Sequence, residues 1–256
     1  MPALFAYGIS KMKKLLLVSL VSLAVAGPVN AFGLNNLLSA GTDLVKSATL
    51  SDSEVQAMAA ESSKVLDKQA KVAPAGSAYG KLLAKIVAGL NNEDGLKLNF
   101  KVYQDKEVNA FAMADGTVRV YSGLLDKMTD DEVRYVIGHE IGHVKLGHTK
   151  KAMQVAYAAS AARKAAADSG NAKLAAFSES EMGDLAEQVL HAQFSQSQES
   201  DADAYAVDFL KRHNYKLDAA PAALRKLAAL YGNDSSVLSS HPAAGDRADK
   251  VEKLIK

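Results

Sequence analysis

His139-Glu140-Ile141-Gly142-His143 restricts this chain more than any other feature of it. On a helix, residues four apart lie one turn along and about 40° apart around the axis. Both imidazoles therefore project from one face toward a common point. Two nitrogen donors on one face with a carboxylate beside them form the set that a catalytic zinc site needs: ligands, an open position and a base. His139 and His143 are the candidate ligands, and Glu140 the candidate base for an attacking water. A pattern this loose also recurs by chance on amphipathic helices, so the flanking sequence has to decide.

The flanks specify a helix. Thr129, with Glu132 three residues later, reads as a capping box. Val133, Val136, Ile137 and Ile141 then repeat at helical spacing, which gives the helix a core face. Gly138 and Gly142 stand beside the histidines. Glycine costs helix stability, so its use here means either plain helix packing or close approach of another backbone or a substrate.

Two histidines need at least one more protein ligand. A third histidine ten residues after the first would complete one known pattern, but that position is Thr149. His148 falls on the opposite face of a continued helix and reads as a polar residue near its negative end. A better candidate lies 56 residues after His143. Glu199 and Asp203 share a face of a second helical stretch, with Glu199 the candidate third ligand. Asp203, one turn on, is the candidate hydrogen-bond partner for the outer nitrogen of a zinc-bound histidine. The alternative is a solvated acidic helix face.

Four segments together resemble the family of HtpX and CAAX prenyl protease-like zinc metallopeptidases, of the HExxH gluzincin type, in a small exported bacterial form. They are Val108-Asn109-Ala110-Phe111-Ala112 with the stretch 118–125, the HExxH helix, Glu199-Ser200-Asp201-Ala202-Asp203, and Ser240-His241-Pro242 followed by Arg247. They span residues 108–247 in the family's order. One position departs: the family commonly has Ser-Arg four and three residues before the ligand glutamate, and here these are Ser195 and Gln196. The resemblance implies a zincin-like α+β domain, mostly helical, with a small antiparallel sheet beside the HExxH helix. It implies one Zn2+ per chain and a substrate strand that pairs with Asn109, Ala110, Phe111 and Ala112. It also places His241 at the cleft. There His241 either occupies the open zinc position or hydrogen-bonds the tetrahedral intermediate, or is simply a loop histidine beside a helix-starting proline. Arg247 either shares the catalytic role or pairs with Asp203.

Compartment and partners follow from the N-terminus and the charge. Lys11, Lys13 and Lys14 precede a mostly apolar core at 15–26, and Val29-Asn30-Ala31 fits a cleavage site. Residues 1–31 thus read as a signal peptide for export to the periplasm, with translation from Met12 and an uncleaved anchor as variants. The chain has no cysteine, which excludes disulfides and anchoring through a lipidated cysteine. Three of the 30 basic residues and none of the 29 acidic ones precede Phe32, so the remainder carries 27 against 29. That balance gives no reason to expect nucleic acid or an anionic membrane surface as partner.

The expected organisation is one domain over 32–256, with N-terminal helices at 32–75 and a catalytic core at 76–256. Strands are expected at 98–104, 108–113 and 117–121, the last two joined at Asp115-Gly116. Residues 151–176 are alanine-rich, either a helical lid or a plain helical connection, interrupted at 168–171. His191 and His213 read as helix-surface residues. The expected function is zinc-dependent endopeptidase activity on unfolded or misassembled envelope proteins, with outer-membrane assembly machinery as a partner. The alternatives are a chaperone-like or latent zinc-binding module, and a purely structural zinc site.

Overall fold

Ser51 opens the first described helix through a capping box. Its hydroxyl accepts from the Glu54 N–H, and the Glu54 carboxylate accepts from the Ser51 N–H at 2.9 Å. The computed structural model describes residues 50–167, 178–231, 241 and 244–256. The expected signal segment, the N-terminal helices before residue 50, the break at 168–171 and the neighbours Ser240 and Pro242 lie outside the described residues. Among those described, no helix is long and apolar enough to cross a membrane.

Helix α1 (Asp52–Gln69) is followed by α2 (Ala78–Ile86), which Ser77 caps, and by the hairpin β1 (Asn92–Glu93) and β2 (Leu96–Lys97). A three-stranded sheet comes next: β3 (Asn99–Tyr103), β4 (Ala110–Ala112) and β5 (Thr117–Tyr121). The remaining helices are α3 (Ser122–Lys127), α4 (Asp130–Lys145), α5 (His148–Ala167), α6 (Glu179–Leu190), α7 (Gln196–Arg212), α8 (Ala219–Tyr231) and α9 (Ala244–Leu254). The architecture is therefore mostly helical with a small sheet beside the HExxH helix α4.

The sheet differs in one respect from the expected antiparallel one. Its order is β3-β5-β4, with β4 antiparallel to β5 and β3 parallel to it. The chain leaves β3, runs to the far edge, and only then turns back through the hairpin into the centre. That path makes β5 run the same way as β3, a pairing that alternation within a strand cannot reveal.

Both faces of the sheet are covered. Val102, Val118 and Val120 face a core built on α4 with Phe209 and Leu210 of α7, Leu224 of α8 and Val251 of α9. Tyr103, Phe111 and Met113 face a second core with Val55 and Leu66 of α1, Met153 and Tyr157 of α5, and Leu185 of α6. Arg119 of β5 is buried on that second side, where its guanidinium donates to both oxygens of Asp67 on α1 at 2.8 and 2.9 Å. Burial opposes ionisation of Asp67, but Arg119, Lys101 and Tyr103 bind its charged form and hold its pKa down to about 2.

Helix α4 opens with the expected Thr129–Glu132 capping box. Its two glycines face α7. A Cβ on Gly138 would stand 2.7 Å from Phe209 Cδ1, and one on Gly142 would stand 3.1 Å from Tyr205 Cδ1 and 3.3 Å from Ala202 Cα. Of the two reasons for glycine, the structure shows helix packing: α7 presses onto α4 through Phe209, Tyr205 and Ala202. Gly138→Ala should gain up to about 1 kcal/mol of helix propensity but lose roughly 1–3 kcal/mol to overpacking against the fully buried Phe209. We expect a net fall in urea-melt stability, relieved when Phe209→Leu is added to the same chain.

Candidate metal centre and active site

Alternation along α4 divides its residues between the core and a cleft. Ile137 and Ile141 enter the core, while His139, Glu140 and His143 come together next to α7 and α9, all three buried. On α7, the capping box of Ser195 and Gln198 sets the helix start, so that Glu199 and Asp203 both turn toward α4. His139 Nε2 and His143 Nε2 lie 3.0 Å apart. Glu199 Oε1 is 3.3 Å from His143 Nε2, and Glu199 Oε2 is 3.5 Å from His139 Nε2. His241 adds its Nδ1 at 3.0 Å from Glu199 Oε1 and 3.3 Å from His139 Nε2. One donor atom from each of these four residues lies within 4.8 Å of the others.

This donor set fits a divalent cation. Two imidazole nitrogens facing each other at 3.0 Å can share only one proton. Glu199 Oε2 is buried and in ion-pair contact with Arg247, yet it accepts no well-formed hydrogen bond. Such a cluster of buried acceptors suits a positive charge at its centre.

Titration within the cluster is uneven. Burial and the Arg247 charge oppose protonation of His139, but its bonds to Asp203 and Glu199 outweigh them and push it up to about 9. Burial drives His143 the other way, down to about 2. Glu199 is opposed by burial but held well below the usual carboxylate range by the imidazoles of His241, His139 and His143. Burial raises Glu140, whose Oε1 lies 3.6 Å from His241 Nε2.

Asp203 stands behind the cluster. Its Oδ1 is 2.9 Å from His139 Nδ1 and accepts from Tyr135 Oη at 2.7 Å. Arg247 of α9 donates Nε to Asp203 Oδ2 at 2.8 Å and Nη2 to Oδ1 at 2.6 Å, and its Nη1 contacts Glu199. Of the two placements open to Arg247, the structure shows the one paired with Asp203.

Two histidines differ from expectation. α4 ends at Lys145, Gly147 takes φ +77°, and His148 opens α5 instead of extending α4. His148 Nδ1 then lies 3.0 Å from His143 Nδ1, beside the cluster and not on its far face. Burial lowers its pKa. The turn signal was legible as a glycine just past the last periodic residue. His213 is half-buried, stacked on Tyr215 and 2.9 Å from Oε2 of the buried Glu93. His191 is the exposed C-cap of α6, as expected. Phe194, which carried no motif, stacks on His143 with centroids 3.9 Å apart.

The cleft runs along β4. β4 is an edge strand: residues 109 and 113 bond to β5 through Tyr121 N–H and Thr117 O, so the backbone groups of Ala110 and Ala112 turn the other way. Asn109 Oδ1 accepts from the Ala110 N–H at 2.8 Å. Asn109, Ala110, Glu140 and His241 line both cavities flanking the site, one of about 50 Å3 and mainly apolar, one of about 330 Å3 that also reaches Phe111 and Ala112.

The sequence model of peptidase family M48 matches residues 80–255. The chain belongs to this family. Among its relatives, metalloprotease LoiP of Escherichia coli strain K12 is 43% identical over 94% of this chain and 96% of its own length. Metalloprotease YcaL of the same strain is 42% identical over 96% and 98%. A putative beta-barrel assembly-enhancing protease of Vibrio cholerae is 28% identical over 64% of this chain and 35% of its own length. This M48 peptidase is therefore a metalloprotease, a hydrolase of peptide bonds, and its His139–His143–Glu199–His241 cluster is suited to a metal ion.

Among the described residues, Arg247 is the guanidinium in contact with the buried carboxylates Asp203 and Glu199. Arg247→Met should remove the charge and most of the hydrogen bonding while keeping apolar bulk. We expect the metal-free protein to lose about 3–5 kcal/mol, the usual cost of leaving buried partners uncompensated, in a urea titration.

Proposed function

We propose that this protein is a zinc-dependent endopeptidase that cleaves unfolded or misassembled proteins of the bacterial cell envelope. The observation that carries the chemistry is the convergence of His139, His143 and Glu199 in one cluster, with Glu140 of the same helix lining the cavities along β4. In this reading His139, His143 and Glu199 hold one zinc ion. Nitrogen and oxygen donors without cysteine favour a catalytic over a structural site. When bound, zinc supplies Lewis acidity to the scissile carbonyl and to the attacking water. Glu140 takes the proton from that water and delivers it to the leaving amine, and a carboxylate raised by burial is suited to both transfers. Asp203 holds the outer nitrogen of His139, with Arg247 and Tyr135 fixing Asp203 in turn.

An extended substrate adds to the free edge of β4 along Asn109, Ala110, Phe111 and Ala112. Backbone pairing binds with little demand on sequence, which suits unfolded substrates. The lysine-bearing, apolar N-terminal segment supports export to the periplasm. The name of the Vibrio cholerae relative supports a place beside outer-membrane assembly machinery.

Glu140→Gln is expected to keep one zinc per chain and lose at least about a hundredfold in cleavage of unfolded casein. Near-wild-type turnover in that variant, or zinc content unchanged in Glu199→Ala, would remove these residues from their roles. A protein that binds casein but cleaves none, with zinc loaded, would favour a chaperone-like module instead.

His241 supports a second, latent state. Its Nδ1 sits among the candidate ligand atoms at 3.0 Å from Glu199, where it competes with water for the open position. His241→Ala is expected to raise turnover roughly tenfold, which corresponds to a competent fraction on the order of one in ten. A fall in kcat would assign His241 to the transition state. Unchanged kcat would leave it as a loop residue.

A further inference from the structure

We infer that His148 is the positioning residue for His143: it accepts the His143 Nδ1 proton and thereby presents Nε2 to the metal. The inference rests on His143 being a metal ligand. His143 points Nε2 at His139 and Glu199, so a ligating imidazole there must carry its proton on Nδ1. A metal-bound histidine almost always donates that outer proton to a carboxylate, a carbonyl or water. Among the described residues, what lies there is His148 Nδ1, at 3.0 Å, with the two ring centroids 5.1 Å apart and the planes at 64°.

The placement comes from the backbone. α4 stops at Lys145, and the left-handed turn at Gly147 sends the next helix back across the end of α4. His148 is the first residue of that helix, so its ring meets the edge of His143. Phe194 covers the face of the same ring at 3.9 Å and 24°. His143 is therefore held on its face by an apolar contact and on its edge by a hydrogen bond.

The chemistry of the partner also fits. To accept from His143, His148 has to be neutral with its own proton on Nε2. The other histidine, His139, already uses a carboxylate, Asp203. Glu140, Glu199 and Asp203 are all buried here, and the guanidinium that contacts Glu199 and Asp203 is Arg247. A further carboxylate behind His143 would add another buried negative charge, whereas an imidazole fixes the tautomer without one.

The test compares His148→Leu with His148→Asn, because an asparagine Oδ1 occupies nearly the position of a histidine Nδ1 and accepts the same proton. Zinc affinity of the full chain is measured by competition with a chromophoric chelator, alongside the melting temperature of the metal-free protein. His148→Leu is expected to weaken zinc by roughly ten- to a hundredfold, and His148→Asn to recover to within about threefold of wild type, with similar metal-free melting. Unchanged affinity in His148→Leu overturns the inference. Equal losses in both variants overturn it too, since ring packing and not proton acceptance would then be at work. Two zinc ions per wild-type chain falling to one in His148→Leu would make His148 a ligand of its own and likewise overturn it. His143→Ala separates this from the underlying assignment: if that variant binds zinc as wild type does, His143 is not a ligand and the proposed site itself fails.

Discussion

The contact between α4 and α7 is the constraint on which the site depends. Gly138 and Gly142 leave no side chain between the two helices, so Phe209, Tyr205 and Ala202 of α7 press onto α4 directly. Only at that separation does Glu199 come within 3.3 Å of His143 and Asp203 within 2.9 Å of His139. Larger residues at the two glycines would push α7 outward and open the gap that the candidate metal centre spans. The same helices feed the main core through Ile137, Ile141, Phe209 and Leu210, so packing and site geometry share one interface.

That interface concentrates charge in an apolar setting. Glu140, Glu199 and Asp203 are buried next to two buried imidazoles, an arrangement that folding opposes unless positive charge offsets it. Arg247 supplies part of the offset from α9 and touches Glu199 and Asp203 at once. A metal cation at the focus of His139, His143 and Glu199 would supply the rest. The outer partners differ, a carboxylate behind His139 and an imidazole behind His143. Fixing both rings before a metal arrives lowers the ordering cost of binding.

Much of the site was legible because its parts are local. The His139–His143 and Glu199–Asp203 pairs follow from helical geometry alone, and capping boxes at Thr129 and Ser195 set the registers of their helices. The strand at Ala110–Ala112 was likewise expected, and its turn was readable from Asp115-Gly116. The differences from expectation were one local stop signal and two distant pairings. His148 was set on the far face of α4 because the helix was carried past its end, although Gly147 marked the stop. His213 looked like a surface residue because its partner, Glu93, is 120 positions away. The parallel β3–β5 pairing depends on the route of the chain between strands, which no strand pattern encodes.

The sequence by itself determined the chemistry on offer: two imidazoles and a base on one helix, two carboxylates on another, and no cysteine. Spacing of three to four residues is enough for that, because a helix converts it into a shared face without reference to anything else. Only the tertiary structure decided which groups meet. It brought the Glu199 face against the His139 face, sent Arg247 behind Asp203 and Glu199, and folded His148 back onto His143. Those contacts join residues 5 to 64 positions apart, and they exist because apolar faces elsewhere on the same helices had to be buried together.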